Sequence, residues 1–209
     1  MKSRPAVIVL AAGQGARFLG ADHKLVQSLG TGTVLGTTLR HAILSQLPLI
    51  VVTTEALADV ARRSVAARDV VVLPEVGEAT TPGLLGMGYS IATGVSARPD
   101  ASGWLILPAD MPLVQSATLQ AVAQQLDNHP VVYAQYKGRR GHPVGFAAEL
   151  YSELVTLTGD EGARRLVARY PALGVEVDDP GVLLDVDTEA DLERLRSAPL
   201  EPVTATLRR

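Results

Sequence analysis

The chain contains no cysteine, few aromatic residues and no long apolar run. Without cysteine it can form no disulfide and use no thiol in catalysis, which fits a reducing compartment. Aromatic residues make up only 4% of the sequence, so its core must be built mainly from valine, leucine, isoleucine and alanine. No apolar stretch approaches the roughly 20 residues that a membrane-spanning helix needs. We therefore expect a cytoplasmic protein that does not enter a membrane.

The sequence also carries little excess charge. Its 19 basic and 22 acidic residues give a net charge of −3, which offers no electrostatic basis for binding nucleic acid. A chain of 209 residues is long enough for one substantial core. We expect a single domain over residues 1–196. Residues 197–209 contain two prolines and no periodicity, which predicts a mobile C-terminal tail.

Short β-branched runs alternate with stretches that have helical periodicity. The predicted strands are 6–10, 49–53, 70–73, 104–107, 131–135 and 182–186. The predicted helices are 34–45, 55–67, 84–97, 115–126, 147–157 and 161–170. Apolar strands separated by helices predict an α/β fold with a doubly wound, mostly parallel, Rossmann-like sheet. Residues 131–146 break the alternation and predict a small antiparallel excursion, which we interpret as a lid or dimer arm beside the site.

A glycine-rich turn follows the first predicted strand, in "VIVLAAGQGARF" (residues 7–18). A dinucleotide-binding loop would need a third glycine where Phe18 stands and an acid about 20 residues further on, and both are missing. A Walker A loop would need Gly-Lys-Ser/Thr, but Ala21 follows Gly20. Two readings remain open for the loop alone. It either wraps phosphate oxygens, with cations nearby, or is a plain strand-to-helix turn.

Acidic residues follow two other apolar runs. Asp110 comes directly after the strand in "WLILPADMPLV", while Asp185 and Asp187 end the run in "VLLDVDTEADL", with Thr188 expected to cap the closing helix. Because ligands of such sheets bind at the C-terminal ends of the strands, the acids and the glycine loop should meet at one edge. Paired carboxylates there favour Mg²⁺, which leaves coordination positions for water and phosphate oxygens.

Six motifs in this order cover nearly the whole chain: "LAAGQGARF" with Lys24, "GMGYSIATGV" (86–95), "LPADMPLV" (107–114), "GRRGHPVGF" (138–146), "GDEGAR" (159–164) and "DVDTEADL" (185–192). Together they resemble the molybdenum cofactor cytidylyltransferase-like nucleotidyltransferases. These are relatives of the guanylyltransferases that make molybdopterin guanine dinucleotide. The resemblance implies transfer of CMP from CTP to the terminal phosphate of molybdopterin cofactor, with pyrophosphate as the leaving group.

The resemblance also implies roles for individual residues. It implies a nucleotide-binding set: Leu10, Ala11, Ala12, Gly13, Gly15, Arg17, Lys24, Gly86 and Ser90. Within it, Ala12 corresponds to the cytosine-selecting form, because the guanylyl relatives have glycine there. Arg17, Lys24 and Asp110 are the implied catalytic residues, and Asp110 and Asp187 the implied Mg²⁺ ligands. The implied acceptor-binding residues are His142, Asp160 and Arg164.

The sequence departs from the family pattern at two places. The stretch "RFLGADHK" is longer than the usual form and has no proline, and the loop over 74–86 is extended. Other readings therefore stay open: a guanylyltransferase, transfer to another phosphorylated metabolite, or a non-catalytic module that delivers molybdenum cofactor to a recipient molybdoenzyme. The missing glycine and ribose acid disfavour a redox enzyme of the same fold.

Overall fold

The computed structural model describes residues 3–13, 15, 18, 22–74 and 86–197. Its strands are β1 (Ala6–Ala11), β2 (Ser28–Leu29), β3 (Gly32–Thr33), β4 (Leu49–Thr53), β5 (Val70–Val72), β6 (Gly103–Pro108), β7 (Val131–Tyr136), β8 (Arg139–Ala147) and β9 (Ala172–Glu176). Its α-helices are α1 (Val34–Leu44), α2 (Glu55–Arg62), α3 (Met87–Ser96), α4 (Ser116–Gln125), α5 (Tyr151–Leu154), α6 (Arg164–Arg169) and α7 (Glu189–Ser197).

Seven strands form one sheet in the order β5-β4-β1-β6-β8-β7-β9. The pairs β5-β4, β4-β1, β1-β6 and β7-β9 are parallel, and only β8 runs antiparallel to its two neighbours. Val9 lies at the centre, paired with Val51 on one side and Leu107 on the other. The predicted α/β fold with a mostly parallel sheet is confirmed. A separate two-stranded antiparallel sheet, β2-β3, was not predicted.

Helices cover both faces of the sheet, as the continuously apolar strands predict. On one face, residues of α1, α2, α4 and α7 belong to the same buried cluster as Val7 and Val9 of β1. On the other face, residues of α3, α5 and α6 belong to the same buried cluster as Ile8. Two of the few aromatic residues, Trp104 and Phe146, are the largest fully buried side chains among the described residues. The indole N–H of Trp104 donates to the Arg98 carbonyl, 3.0 Å away.

Segment 131–146 is antiparallel as predicted, but it is part of the main sheet, so its interpretation as a separate lid or arm was wrong. Its two strands, β7 and β8, lie inside the main sheet, where β8 pairs with β6 from Gly103↔Ala147 to Ile106↔Val144. The reason is burial. Val131, Val144 and Phe146 are all core residues, and an exposed arm would leave them in water.

The predicted strand over 182–186 is also wrong. Asp179 accepts a hydrogen bond from the Gly181 amide, and Pro180–Leu183 forms a 3-10 turn, because the Pro-Gly pair favours a turn over a strand. The edge strand is instead β9, which pairs with β7 from Val131↔Ala172 to Gln135↔Glu176. Helix formation in 147–157 and 161–170 is shorter than predicted, limited to a 3-10 turn (Ala148–Leu150), α5 and α6.

The last helix extends one residue further into the expected C-terminal tail than the sequence predicts. Ser197, the first residue of the expected tail, is the last residue of α7, and residues 198–209 lie outside the described residues. Most of the extended loop, residues 75–85, also lies outside them. Within the described residues, no helix has both the length and the apolar character that crossing a membrane requires.

Candidate active site

Asp110 lies just beyond the end of β6, at the edge of the sheet where the parallel strands end. The backbone on both sides of it is anchored by hydrogen bonds. The Ala109 amide donates to the Leu10 carbonyl at 3.0 Å, and the Thr38 hydroxyl donates to the Ala109 carbonyl at 2.7 Å. The amide of Val186 donates to the carbonyl of Asp110 itself at 2.8 Å. The Asp110 carboxyl therefore starts from a fixed backbone beside β1 and the glycine loop.

Asp187 reaches the same place without a strand to carry it. The bond from Val186 to Asp110 brings this segment against the end of β6. Immediately after Asp187, Thr188 begins α7: the Asp191 amide donates to the Thr188 hydroxyl, and the Thr188 amide donates to the Asp191 carboxylate. The predicted cap at Thr188 is confirmed. Asp187 is thus held between a backbone bond on one side and a capped helix on the other.

The segment that leads to Asp187 is held in place by Asp179, which is only 2% exposed. Its carboxylate accepts hydrogen bonds from the Gln115 amide at 2.9 Å and the Thr118 hydroxyl at 2.6 Å, both at the start of α4. It also accepts from the Gly181 amide at 3.0 Å. One buried carboxylate therefore joins α4 to the turn before Asp187.

Lys24 lies on a short 3-10 turn (Lys24–Val26) that follows the glycine loop. His23 links the two: its Nδ1 accepts from the Leu25 amide at 3.2 Å, so its Nε2 donates to the Gly13 carbonyl at 3.0 Å. Gly15 has a φ of +62°, a conformation that a side chain rarely adopts, and a Cβ there would lie 3.4 Å from His23 Nε2. The loop and the lysine turn are therefore built together.

The ammonium of Lys24 joins the two aspartates. Nζ donates to Asp110 Oδ2 at 2.7 Å and to Asp187 Oδ1 at 3.0 Å. Lys24 is 8% exposed. Burial acts to lower its pKa, but the attraction of Asp110 and then Asp187 outweighs burial and raises the pKa above its usual value. Asp110 and Asp187, which are 86 and 163 positions from Lys24 in the sequence, thus meet it in one charged cluster.

One carboxylate oxygen of this cluster accepts no hydrogen bond from the described residues. Asp110 Oδ1 is buried and has no hydrogen-bond partner among the described residues. Nearby, partial burial and then the negative charge of Asp187 raise the pKa of Asp185. An unpaired carboxylate oxygen in a region of negative charge suits a cation, and Mg²⁺ commonly takes one or two protein carboxylates together with substrate phosphates. The donor set therefore fits a divalent cation.

His142 lies on β8, next to the strand that leads to Asp110. Its pKa is lowered to about 4, mainly by burial and less by the charge of Arg140, while the charge of Asp110 acts in the opposite direction. Its Nδ1 is buried and has no hydrogen-bond partner within the described parts of the chain. Arg140 in turn lies over the Tyr133 ring, with 4.8 Å from guanidinium carbon to ring centroid. His142 is therefore uncharged at neutral pH.

A second group of predicted residues meets at the start of α3. The Gly88 amide donates to the Gly159 carbonyl at 2.8 Å, and a Cβ at Gly88 would lie 2.5 Å from the Thr158 carbonyl oxygen. A Cβ at Gly86 would likewise clash with the Asp160 carboxylate and the Gly159 carbonyl. The hydroxyl of Ser90 donates back to the Gly86 carbonyl at 3.1 Å. The "GMG" and "GDEG" motifs, far apart in sequence, thus form one close contact that larger residues would disrupt.

Three of the other predicted residues lie at or directly after the end of β1. Leu10 and Ala11 end β1, with Ala11 buried, and Ala12 is partly buried beyond it. Arg164 is exposed at the first residue of α6. Arg17 lies outside the described residues. Sequence reasoning missed Asp179, although Asp-Pro-Gly is a turn signature, and it missed His23, which no sequence signal singles out.

Residues 7–174 match the MobA-like NTP transferase domain family. Over 120 residues the chain is 36% identical to the bifunctional protein GlmU of Kineococcus radiotolerans. Over 119 residues it is 32% identical to the purine catabolism protein PucB of Bacillus subtilis. These alignments cover 56% and 54% of this chain, but only 24% of GlmU and 57% of PucB.

A solved structure is similar over nearly the whole chain. The crystal structure of Rv0371c from Mycobacterium tuberculosis H37Rv has a TM-score of 0.80 and 29% identity, over 95% of this chain and 100% of Rv0371c. A crystal structure of Rv0371c in complex with manganese has a TM-score of 0.75 and 28% identity, over 94% of this chain and 100% of that one. The similarity therefore extends beyond the shared domain core.

Proposed function

Because the chain belongs to the MobA-like NTP transferase domain family, and is a nucleotidyltransferase, we propose that it transfers CMP from CTP to the terminal phosphate of molybdopterin cofactor. The observation that carries the proposal is the Lys24 ammonium, which bridges Asp110 and Asp187 beside the glycine loop. Such a cluster offers a cation for phosphate oxygens and two carboxylates for a metal ion. The motif order described above supports the choice of substrates.

The reaction follows from the charges of its partners. An oxygen of the acceptor phosphate forms a bond to the α-phosphorus of CTP, while the bond from that phosphorus to the oxygen bridging to the β-phosphate breaks, and pyrophosphate leaves. The attacking oxygen is already an anion, so no strong general base is required. Catalysis then depends on orientation and on neutralising negative charge. Lys24, together with Arg17, supplies positive charge to the triphosphate.

We assign Asp110 and Asp187 as the residues that hold Mg²⁺. Asp110 Oδ1, which accepts no hydrogen bond from the described residues, and the neighbouring Asp185 and Asp187 carboxylates support this assignment. The manganese complex of Rv0371c, 28% identical to this chain, is consistent with a divalent cation. When bound, such an ion withdraws charge from phosphate oxygens. The carboxylates themselves hold and orient that ion from a fixed backbone.

The remaining predicted residues divide between the two substrates. We assign the backbone of Leu10, Ala11, Gly13 and Gly15 to the nucleotide, with Ala12 selecting cytosine. Gly86 and Ser90, at the start of α3, lie on the nucleotide side in this proposal. The acceptor side consists of His142, Asp160 and Arg164. Because His142 is uncharged at neutral pH, its role there is to hydrogen-bond the acceptor and not to neutralise its phosphate.

A panel of substrates tests the proposal. Purified protein with Mg²⁺ would be given CTP, GTP, ATP or UTP, each with molybdopterin cofactor or a sugar 1-phosphate, and both pyrophosphate and the coupled product would be measured. We expect release of pyrophosphate and formation of the cytosine dinucleotide only with CTP and molybdopterin cofactor.

Three other outcomes of the panel would each indicate a different function for this protein. Product with GTP would make the chain a guanylyltransferase and would overturn the role of Ala12. Product with the sugar phosphate would change the acceptor. Binding of molybdopterin cofactor without pyrophosphate release, from any nucleotide, would indicate a module that delivers the cofactor to a recipient molybdoenzyme.

A further inference from the structure

Lys24 occupies one oxygen of each of the two carboxylates that are assigned to the divalent cation. Its ammonium contacts Asp110 Oδ2 at 2.7 Å and Asp187 Oδ1 at 3.0 Å, and the side chains of these aspartates are only 20% and 18% exposed. Two cations in contact with the same two carboxylates would lie close together in a poorly solvated site. Their mutual repulsion would be strong there, because little water is present to screen it.

We propose that Lys24 competes with the divalent cation for Asp110 and Asp187, and that binding of the cation displaces the Lys24 ammonium towards the triphosphate. This inference rests on the proposed function, in which the aspartates hold Mg²⁺ and Lys24 binds the nucleotide. It adds that the Lys24 side chain first pairs with the aspartates and then binds the triphosphate. Without substrate, Lys24 pairs with two partly buried carboxylates; with substrate, its charge moves to the phosphates.

The position of Lys24 makes the displacement feasible. Its turn is fixed by His23, which bonds both to the Leu25 amide and to the Gly13 carbonyl of the glycine loop. The ammonium lies at the end of a flexible four-carbon stem, so it can move while the backbone stays in place. The turn adjoins the loop that is assigned to the nucleotide. The released charge would therefore not have to travel far to meet a triphosphate.

The exchange has a thermodynamic consequence. A nucleotide that attracts the Lys24 ammonium frees the aspartates, so nucleotide binding strengthens cation binding, and cation binding strengthens nucleotide binding by the same factor. Cation affinity in the absence of nucleotide is kept low by the lysine. Loss of the lysine charge should therefore have opposite effects on the two ligands. It should tighten binding of the metal alone and weaken binding of the nucleotide.

The wild-type chain offers a direct test, because it has only three lysines, Lys2, Lys24 and Lys137. Brief acetylation followed by mass spectrometry would report the reactivity of each one, with and without Mg²⁺ and with no nucleotide present. We expect Mg²⁺ to raise the acetylation rate of Lys24 by about tenfold, since release from a buried ion pair exposes it. Lys137 is exposed and serves as the internal control, so its rate should not change.

A second measurement uses variants and the metal alone. Mn²⁺ binding, followed by electron paramagnetic resonance, should be about tenfold tighter in Lys24→Met than in wild type, while Lys24→Arg, which keeps the charge, should resemble wild type. Asp59→Asn, which removes a carboxylate 87% exposed on α2, is the matched control and should bind Mn²⁺ like wild type. If Lys24→Met does not fold, the acetylation measurement still decides.

Two results would overturn the inference. One is an unchanged or slower acetylation of Lys24 when Mg²⁺ is added. The other is Mn²⁺ binding that is equal or weaker in Lys24→Met, including no detectable binding to either protein. Neither measurement contains nucleotide or acceptor. Both therefore test the competition even if CTP and molybdopterin cofactor turn out not to be the substrates. Absence of CMP transfer together with a metal-dependent rise in Lys24 reactivity would reject the proposed function and retain the competition.

Discussion

Replacing Asp179 with alanine should destabilise the fold and also impair the candidate active site. The carboxylate accepts three hydrogen bonds, from the Gln115 amide, the Thr118 hydroxyl and the Gly181 amide, at 2.9, 2.6 and 3.0 Å. A hydrogen bond to a charged group contributes about 1.5–3 kcal/mol net. The variant leaves three donors without this partner but no longer buries a carboxylate, so we expect a net loss of about 3–5 kcal/mol.

Urea unfolding followed by circular dichroism would measure this loss as a lower midpoint at unchanged slope. Thr118→Val is the matched control: it removes one of the three bonds at nearly constant volume, so its cost should be about 1–2 kcal/mol. A loss below about 1 kcal/mol for Asp179→Ala would refute the reasoning, because it would mean that the three bonds are worth no more than solvation. Nucleotidyl transfer should fall further in Asp179→Ala than in Thr118→Val, since only the former frees the turn that leads to Asp187.

Three further changes test other parts of the account. Gly88→Ala should cost about 1–3 kcal/mol in thermal unfolding, because its Cβ would lie 2.5 Å from the Thr158 carbonyl oxygen; a cost near zero would contradict this packing. The pKa of His142 is lowered to about 4, so between pH 6.5 and 4 the unfolded chain binds more protons than the folded one. The contribution of His142 to the free energy of unfolding should therefore be fully present above pH 6.5 and fall by up to about 3 kcal/mol towards pH 4. In His142→Asn the free energy of unfolding should depend less steeply on pH over this range. An unchanged slope in that variant would contradict the role of His142. His23→Ala should weaken nucleotide binding while Asp59→Asn does not, measured by thermal shift with CTP, since His23 ties Lys24 to the glycine loop.

Much of the fold follows from local patterns in the sequence. The central strands β1, β4 and β6 are continuous apolar runs, and such runs are buried on both faces whatever their neighbours. The expectation that Asp110, Asp187 and the glycine loop lie at one edge of the sheet also followed from one rule, that polar residues after parallel strands gather there. Asp187 meets this expectation although the strand predicted before it does not exist. The contact of Lys24 with both aspartates was not predicted.

The errors occur where distant contacts decide the structure. The position of β8 between β6 and β7 depends on pairings such as Trp104↔Phe146, which no local pattern contains. The run before Asp187 has the composition of a strand, but Asp179, Pro180 and Gly181 turn it, and β7 then pairs with β9 instead. The roles of His23 and Asp179 likewise depend on partners that the fold supplies, so the sequence alone could not reveal them.

The most direct test of the central claim is the rate of CMP transfer from CTP radiolabelled at its α-phosphate, with Mg²⁺ and molybdopterin cofactor, in wild type and in Asp110→Asn. Asp110→Asn removes the charge that pairs with Lys24 and with the metal ion, so we expect at least about a hundredfold slower transfer. Asp59→Asn, its surface control, should transfer at close to the wild-type rate. Equal rates in wild type and Asp110→Asn would contradict the account, because the cluster of Lys24, Asp110 and Asp187 would then not be the catalytic centre.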